Sequence, residues 1–358
     1  MNAIVLAGGL GTRLRPVTGP TPKPLAPLLG RPILEHILRL LREQGFTRVC
    51  LALGYGAGEI RRRFAGGYPG LELCFREEQE PLGTAGAVRA CRDFIGQEDV
   101  LVISGDVACD FALARLMASQ RERGAAAALA LVRDPAPLRF GLAVTDPEDR
   151  IRAFIEKPDW PRVVTDLVNT GIYALSPRAL EAIPEGRAWD FGKDLFPALL
   201  KAGETLLGLP MEGYWCDLGT PLSYYRCCVD ALEGRLRLEP GPAFVSALSA
   251  ESSPPRTEAS AREPEAPTQL RIPCRDRARL MGQLSELMLE LDAEYSDGIL
   301  LRRSGWELRV RPDSAESALR LEAAAPEPEF ARSLALSLGD VIRALEQGDE
   351  AMKTKELS

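Results

Sequence analysis

The sequence predicts an α/β sandwich around a mostly parallel sheet, followed by a small C-terminal α+β domain. Three observations carry this. Short apolar runs rich in Val, Ile and Leu alternate with stretches of helical periodicity between Ala3 and Ile103. A glycine-rich loop follows the first run at once, at the strand end where open α/β sheets bind ligands. From Glu239 to Thr268 the composition turns to Pro, Ser, Ala and Glu, and patterned sequence then resumes.

The apolar runs Ala3 to Leu6, Arg48 to Leu53, Leu71 to Phe75 and Val100 to Ile103 are the expected strands. Between them Ile33, Ile37, Leu40 and Leu41, then Ile60 to Phe64, then Ala85 to Phe94, repeat at helical spacing. A second portion, Ala125 to Glu233, mixes strand-like runs with loops carrying isolated polar residues, and is read as completing the same domain over one cleft. The run AAAALALV (Ala125 to Val132) predicts a buried strand and is far short of the roughly 18 residues of a membrane span. After the linker come a helix near Arg275 to Leu291, strands ILLRR, WELRVR and ALRLEA, and a helix near Glu329 to Glu346. The domain expectations are 1–236 for the catalytic domain, 237–268 for the linker, 269–350 for the α+β domain and 351–358 for a tail.

Composition excludes several functions. The net charge of -7 gives no support to binding a nucleic-acid backbone, which shows as a basic face. The amino terminus lacks a basic segment and cleavage site, so a cytoplasmic protein is expected. The eight cysteines form no C-x-x-C pair and several lie in apolar runs, which reads as buried reduced thiols. With His36 the lone histidine, on a helical pattern, a zinc site is not expected.

The chemistry begins in LAGGLGTRLRPVTGPTPKPL, Leu6 to Leu25. Gly8, Gly9 and Gly11 remove Cβ atoms, so backbone amides can wrap a triphosphate closely. Arg13 offers a planar fork for phosphate oxygens. The prolines at 16, 20, 22 and 24 restrict the backbone that carries Lys23, so its ordering costs little on binding. The spacing is not that of a P-loop. Gly54-Tyr55-Gly56-Ala57-Gly58 is not G-x-G-x-x-G either, and is read as a turn.

With G-G-x-G-T-R-L and P-K-P both present, the chain resembles the sugar-1-phosphate nucleotidyltransferase family from Met1 to Arg235. The resemblance implies a Rossmann-like α/β/α sandwich of the nucleotide-diphospho-sugar transferase type. It implies that Leu6, Ala7, Gly8, Gly9, Gly11, Thr12 and Arg13 bind the nucleotide and that Lys23 stabilises the reacting phosphate. EEQEPLGTAGA looks like the family's base-reading segment, with Glu78, Pro81, Gly83, Thr84 and Ala85 near base and ribose. VISGD gives Asp106 and YWCDLGTP gives Asp217 as ligands of Mg²⁺. RFGLAV places Gly141, IEKP places Glu156 and Lys157, and VNTGIY places Asn169 and Thr170 on the sugar phosphate. Arg13, Lys23, Asp106 and Asp217 are thus the expected catalytic set.

PLGTAGA, DFGKDLFP and GYWCDLGTP most resemble the mannose-1-phosphate guanylyltransferase branch. A carboxylate at Glu78, or at Glu80 if the register slips, accepts hydrogen bonds and suits the N1–H and N2–H₂ donors of guanine. GTP and mannose 1-phosphate are the favoured substrates. Heptose 1-phosphate guanylyltransferase and glucose 1-phosphate uridylyl- or thymidylyltransferase remain open, as does a catalytically silent paralogue that binds nucleotide sugars. Homo-oligomerisation is left open.

Asp297 to Ala325 resembles the last domain of phosphomannomutase and phosphoglucomutase enzymes, whose R-P-S-[GN]-T-E-P loop grips a phosphate. Arg311, Pro312 and Glu316 match, whereas Asp313, Ala315 and Ser317 stand for Ser, Thr and Pro. An anion and a methyl in place of two hydroxyls weaken phosphate binding. The module is read either as a packing domain or as a residual effector site.

Overall fold

The computed structural model describes residues 1–135, 137–242, 267–288, 293–295, 298–303, 306–313, 317–325 and 328–356. Its strands begin with β1 (Asn2–Ala7), the short β2 (Pro27–Leu28) and β3 (Arg31–Pro32), β4 (Arg48–Leu53), β5 (Glu72–Glu77), β6 (Val100–Ser104) and β7 (Val107–Cys109). They continue with β8 (Ala127–Arg133), β9 (Gly141–Thr145), β10 (Ile151–Glu156), β11 (Leu167–Leu175), β12 (Leu206–Pro210) and β13 (Trp215–Asp217). By packing, the described chain divides into two units: Met1–Leu10 with Ile33–Asp217, and Gly11–Pro32 with the residues from Leu218 onward.

The first unit is built on a nine-stranded mixed sheet. β1 lies between β4 and β6, parallel to both, and β5 extends the parallel half beyond β4. β11 runs antiparallel to β6, and β8, β9 and β10 carry the antiparallel half outward, with β12 parallel to β8. Strands covered on both faces read as continuous apolar runs, and Ile4, Val5, Cys50, Leu51, Val102 and Ile103 are fully buried. The alanine-rich run becomes β8, in which Ala127 to Leu131 are fully buried between β11 and β12. The portion after Ala125 therefore joins the same sheet.

This order fixes where a ligand can enter. The chain leaves β1 to one side for β4 and β5 and returns to the other side for β6. Strand order reverses between β1 and β6, and such a reversal opens a crevice at the carboxyl ends. Those ends are Ala7–Gly8 and Ser104–Asp106. The helix Ile33–Glu43 buries Ile33, Ile37 and Leu41 as expected, together with Leu34, His36 and Leu38, whereas Leu40 is only partly buried. The eight cysteines are free thiols, six of them buried. Cys50 faces Cys74 across β4 and β5 and lies 3.6 Å from Cys91, sulfur to sulfur. Burial pushes the Cys109 thiol up to about 12.

In the second unit β14 (Thr268–Pro273), β15 (Ile299–Arg303), β16 (Trp306–Pro312) and β17 (Ala318–Ala324) form an antiparallel sheet in the order β14-β17-β16-β15. Alternate residues of β16 and β17 are buried, the signature of a sheet with one covered face. The helix Pro328–Glu356 packs on β14 and β17, and Arg277–Met288 packs on β15 and β16. The last helix also packs on the short helix Arg15–Thr18 and on the helix Pro221–Leu232. β14 has no counterpart among the strands expected from sequence, because its Thr268 closes the Pro/Ser/Ala/Glu-rich stretch. Residues 243–266 of the expected linker, and Ala315 and Glu316 of the expected phosphate loop, lie outside the described residues. The final helix runs on through Glu356, into the segment expected as a tail.

Candidate functional site

The glycine loop starts where β1 ends. A Cβ on Gly8 would meet the Gly54 amide nitrogen at 3.2 Å, and one on Gly54 would meet the Gly8 carbonyl oxygen at 2.7 Å. The Tyr55 amide donates to that same carbonyl over 3.2 Å. The turn after β4 is therefore the floor of the loop, a role for Gly54 that its spacing did not reveal. Gly105 does the same from β6, its amide donating to the Leu6 carbonyl at 2.8 Å. Backbone thus lies directly on backbone around Leu6, Ala7 and Gly8, and Gly9 is open to solvent.

Asp106 follows β6 and precedes β7, and β7 pairs antiparallel with β13 in the register Val107↔Asp217. Two carboxylates from positions far apart in sequence are thereby brought to neighbouring places on one ladder. Asp110 holds that ladder: its Oδ1 accepts from the Tyr214 amide at 2.7 Å, and its amide donates to the Tyr214 carbonyl at 3.2 Å. Both Asp106 and Asp217 are partly exposed. Among the described residues no group of three or more His, Cys, Asp or Glu side chains forms a metal cage. A pair of partly exposed carboxylates instead fits Mg²⁺, which keeps most of its positions for water and substrate oxygens.

The segment expected to read the base is the loop between β5 and the helix Gly83–Arg89. The Glu78 amide donates to the Leu53 carbonyl at 2.9 Å, and its carboxylate Oε2 accepts from the Leu82 amide at 3.1 Å. Burial pushes this carboxyl above its ordinary value, although the Leu82 amide pulls the other way. Glu78 thus shapes its own loop with one oxygen. Pro81 in the loop, and Gly83 and Thr84 at the start of the helix, are exposed. Thr84 is already engaged: its hydroxyl donates to Asp190 Oδ2 at 2.9 Å and accepts from the Phe191 amide at 3.0 Å.

The sugar-facing candidates gather on β9, β10 and β11. Gly141 and Glu156 pair across β9 and β10, and a Cβ on Gly141 would lie 2.7 Å from Glu156 Oε2. Burial raises the Glu156 carboxyl above the ordinary range, Asp190 adds to this, and Lys157 and Lys193 pull it back. Lys157 has φ +41°, a left-handed backbone that non-glycine residues adopt at a cost and that clusters at functional sites. Between Asn169 and Tyr173 the pairing of β11 with β8 shifts register, so that β11 bulges there. The Asn169 amide group donates to the Tyr173 hydroxyl at 2.8 Å, and its Oδ1 accepts from the Gly171 amide at 3.1 Å. Thr170 is buried instead, its hydroxyl donating to the Ala130 carbonyl at 2.7 Å. Its own carbonyl accepts from the Trp215 indole at 3.1 Å, which ties the bulge to β13 beside Asp217.

The remaining candidates lie in the second unit. Gly11 has φ +59°, and a Cβ there would meet Lys23 Cβ at 3.0 Å. Thr12 and Arg13 are exposed in the turn that follows, and Lys23 is buried at the start of another, capped by Pro22. Arg13 and Lys23 are thus carried on one prolyl-stiffened arm.

A family model described as nucleotidyl transferase matches residues 2–234. The chain belongs to the nucleotidyl transferase family. It is 36% identical over 246 residues to the mannose-1-phosphate guanylyltransferase of Mycobacterium tuberculosis, covering 68% of this chain and 67% of that protein. It is 32% identical over 251 residues to the UTP–glucose-1-phosphate uridylyltransferase of Synechocystis, covering 66% and 65%. The match thus spans about two thirds of the length of these relatives. Among solved structures, HddC from Yersinia pseudotuberculosis complexed with GMP-PN superposes with a TM-score of 0.55 at 30% identity, over 63% of this chain and 97% of that one. The transferase match stops at residue 234, and the four-stranded sheet of the second unit lies beyond it.

Proposed function

We propose that this nucleotidyl transferase joins GTP to mannose 1-phosphate, giving GDP-mannose and pyrophosphate. The observation that carries the reaction class is the pairing of β7 with β13, which sets Asp106 and Asp217 together beside the glycine-lined end of β1 and β6. The guanylyl preference rests on the Glu78 carboxylate in the base-reading loop and on the guanylyltransferase among the relatives. HddC, crystallised with GMP-PN, supports the same base.

The chemistry needs no general base, because the attacking oxygen of the sugar phosphate is already anionic. That oxygen forms a bond to the α-phosphorus as the bond from the α-phosphorus to the bridging oxygen breaks. The electron pair leaves with pyrophosphate, and no proton moves. The chain's task is to hold two polyanions together and offset charge at the α-phosphate. Gly8, Gly9 and Gly11 offer backbone donors to the triphosphate, Arg13 and Lys23 neutralise it, and Lys157 holds the incoming phosphate. Glu156 and Asn169 orient the sugar hydroxyls. Mg²⁺, held by Asp106 and Asp217, would supply Lewis-acid charge at the α-phosphate.

The test is a matrix of GTP, ATP, UTP and dTTP against mannose, glucose and heptose 1-phosphates, scored by pyrophosphate release with Mg²⁺. GTP with mannose 1-phosphate is expected to lead. Turnover of UTP with glucose 1-phosphate far above it would replace the substrate assignment. No release from any pair would favour a silent nucleotide-sugar-binding paralogue.

A further inference from the structure

The segment Trp189–Lys193, met so far only through its contacts with Thr84 and its charges near Glu156, touches both halves of the site. On the base side the Trp189 amide donates to the Leu82 carbonyl at 2.8 Å. The Trp189 carbonyl accepts from the amides of Ala85 at 2.9 Å and Gly86 at 3.1 Å. The contact is too close for a side chain on Gly83, whose added Cβ would lie 2.7 Å from the Trp189 oxygen. One residue on, Asp190 Oδ2 takes the Thr84 hydroxyl at 2.9 Å, and Thr84 in turn accepts from the Phe191 amide at 3.0 Å.

On the sugar side the same aspartate turns the chain. Asp190 Oδ1 accepts from the amides of Gly192 at 2.9 Å and Lys193 at 3.2 Å, capping a π-helical turn, Phe191–Leu195. Such turns recur at functional sites because they set a local geometry an α-helix cannot. The cap seats Gly192 against Glu156, where an added Cβ would lie 2.4 Å from Oε2. The Asp194 carboxylate accepts from the Asp190 amide at 2.8 Å, which fixes the cap itself. Beneath, Phe191 packs on Tyr173 with ring centroids 4.7 Å apart, and Tyr173 carries the hydroxyl that holds Asn169. Every contact in this chain lies within the first unit.

We infer that Asp190 is a positioning residue: by gripping Thr84 with one oxygen and seating Gly192 against Glu156 with the other, it makes the base-reading loop and the sugar-binding carboxylate one mechanical element. The inference rests on the proposed function for what the two ends bind, and on geometry alone for the strap. Its consequence is that damage at either end is felt at both. A loop that merely packed nearby would let each substrate's affinity move by itself.

The kinetic test uses the full chain with GTP, mannose 1-phosphate and Mg²⁺, comparing Thr84→Val, Thr84→Ser, Asp190→Ala and the Thr84→Val/Asp190→Ala double variant. Thr84→Val and Asp190→Ala are each expected to raise KM for both substrates by roughly fivefold to fiftyfold, and the double variant by no more than the worse single, because coupled residues are non-additive. Thr84→Ser keeps the hydroxyl and should restore both values. Thr84→Val raising only the GTP KM, with Asp190→Ala raising only the mannose 1-phosphate KM, would overturn the inference, as would multiplicative effects in the double variant. Should Asp190→Ala fail to fold, Thr84→Val against Thr84→Ser decides alone, since it leaves Asp190 itself in place.

A second readout separates this inference from the proposed function. In the protein without substrates, Thr84→Val is expected to speed amide hydrogen exchange about tenfold at Gly192 and Lys193 as well as at Ala85 and Gly86. Faster exchange confined to Phe191, the amide that loses its acceptor directly, would refute the strap. If the wild-type protein released no pyrophosphate, the proposed function would fall and exchange would still decide the strap.

Discussion

Replacing Gly83 by alanine tests how tightly the proposed base-reading loop is pressed onto Trp189. Gly83 has φ +68°, and its Cβ would meet the Trp189 oxygen at 2.7 Å, carbon at 3.1 Å and nitrogen at 3.2 Å. All three are backbone atoms, pinned by hydrogen bonds to Leu82, Ala85 and Gly86, so they cannot swing aside. A left-handed backbone costs an alanine about 1–2 kcal/mol, and overpacking against fixed atoms adds about 1–3 kcal/mol. Gly83→Ala should therefore lose about 2–5 kcal/mol, or roughly 5–15 °C of Tm in a unit of this size. Gly124, at the end of the helix Leu113–Glu122, is the control, with φ +57° and nothing within 4 Å of an added Cβ. Gly124→Ala carries a positive φ and the same change in the unfolded chain without the overpacking, and should lose only about 1–2 kcal/mol. The assay is urea unfolding of both variants, with KM for GTP measured alongside. Equal destabilisation of the two, or an unchanged KM in Gly83→Ala, would refute the reasoning.

Further outcomes are expected. Asp106→Asn and Asp217→Asn should each abolish Mg²⁺-dependent pyrophosphate release with little change in melting, and near-normal activity in both would remove them from the metal site. Glu156 has a raised folded-state pKa, so between its ordinary and raised values the folded chain binds more protons than the unfolded one, and stability falls as pH rises through that window. Glu156→Gln should accordingly melt higher than wild type at neutral pH while KM for mannose 1-phosphate rises, and a lower melting temperature would contradict the sign. Asp313 is fully buried and takes Arg271 at 2.7 Å and Arg320 at 3.1 Å, while Arg277 donates to its carbonyl. Because the guanidinium groups are partly exposed, screening tempers the loss, and Asp313→Asn should cost about 1–2 kcal/mol in a urea titration.

What the sequence disclosed and what it withheld divide along physical lines. The strands β1, β4 and β6 were legible because burial on both faces leaves an uninterrupted apolar run. The glycine loop was legible because close approach to backbone, here that of Gly8 and Gly54 to each other, demands a residue type. Asp106 and Asp217 came through resemblance, and their meeting needed the β7–β13 ladder, which no local pattern records. DFGKDLFP was visible as a motif, but its partner Thr84 lies 106 positions away, and a hydrogen bond across that separation leaves no trace in spacing. Thr170 shows the opposite limit. A motif marks it, yet β11 bulges at that point and the hydroxyl turns to Ala130 inside the protein. The Asp313 substitution was legible as a lost hydroxyl, but the arginines it gathers come from β14, from β17 and from the helix beginning at Arg277, only part of which the local motif covers.

The arm that bears Arg13 and Lys23 sits far from the carboxyl end in sequence, yet the last helix packs on its first turn, Arg15–Thr18. Further along, the Gly241 amide donates to the Leu29 carbonyl at 2.7 Å, Arg31 Nε reaches the Glu239 carbonyl at 3.2 Å, and the Tyr224 hydroxyl donates to the Pro27 carbonyl. An expression boundary drawn at residue 234, where the family match ends, would strip this arm of the helix it rests on. Residues 11–32 and the residues from 218 onward therefore form one piece of protein, and a version cut at that boundary is a different molecule around Arg13 and Lys23.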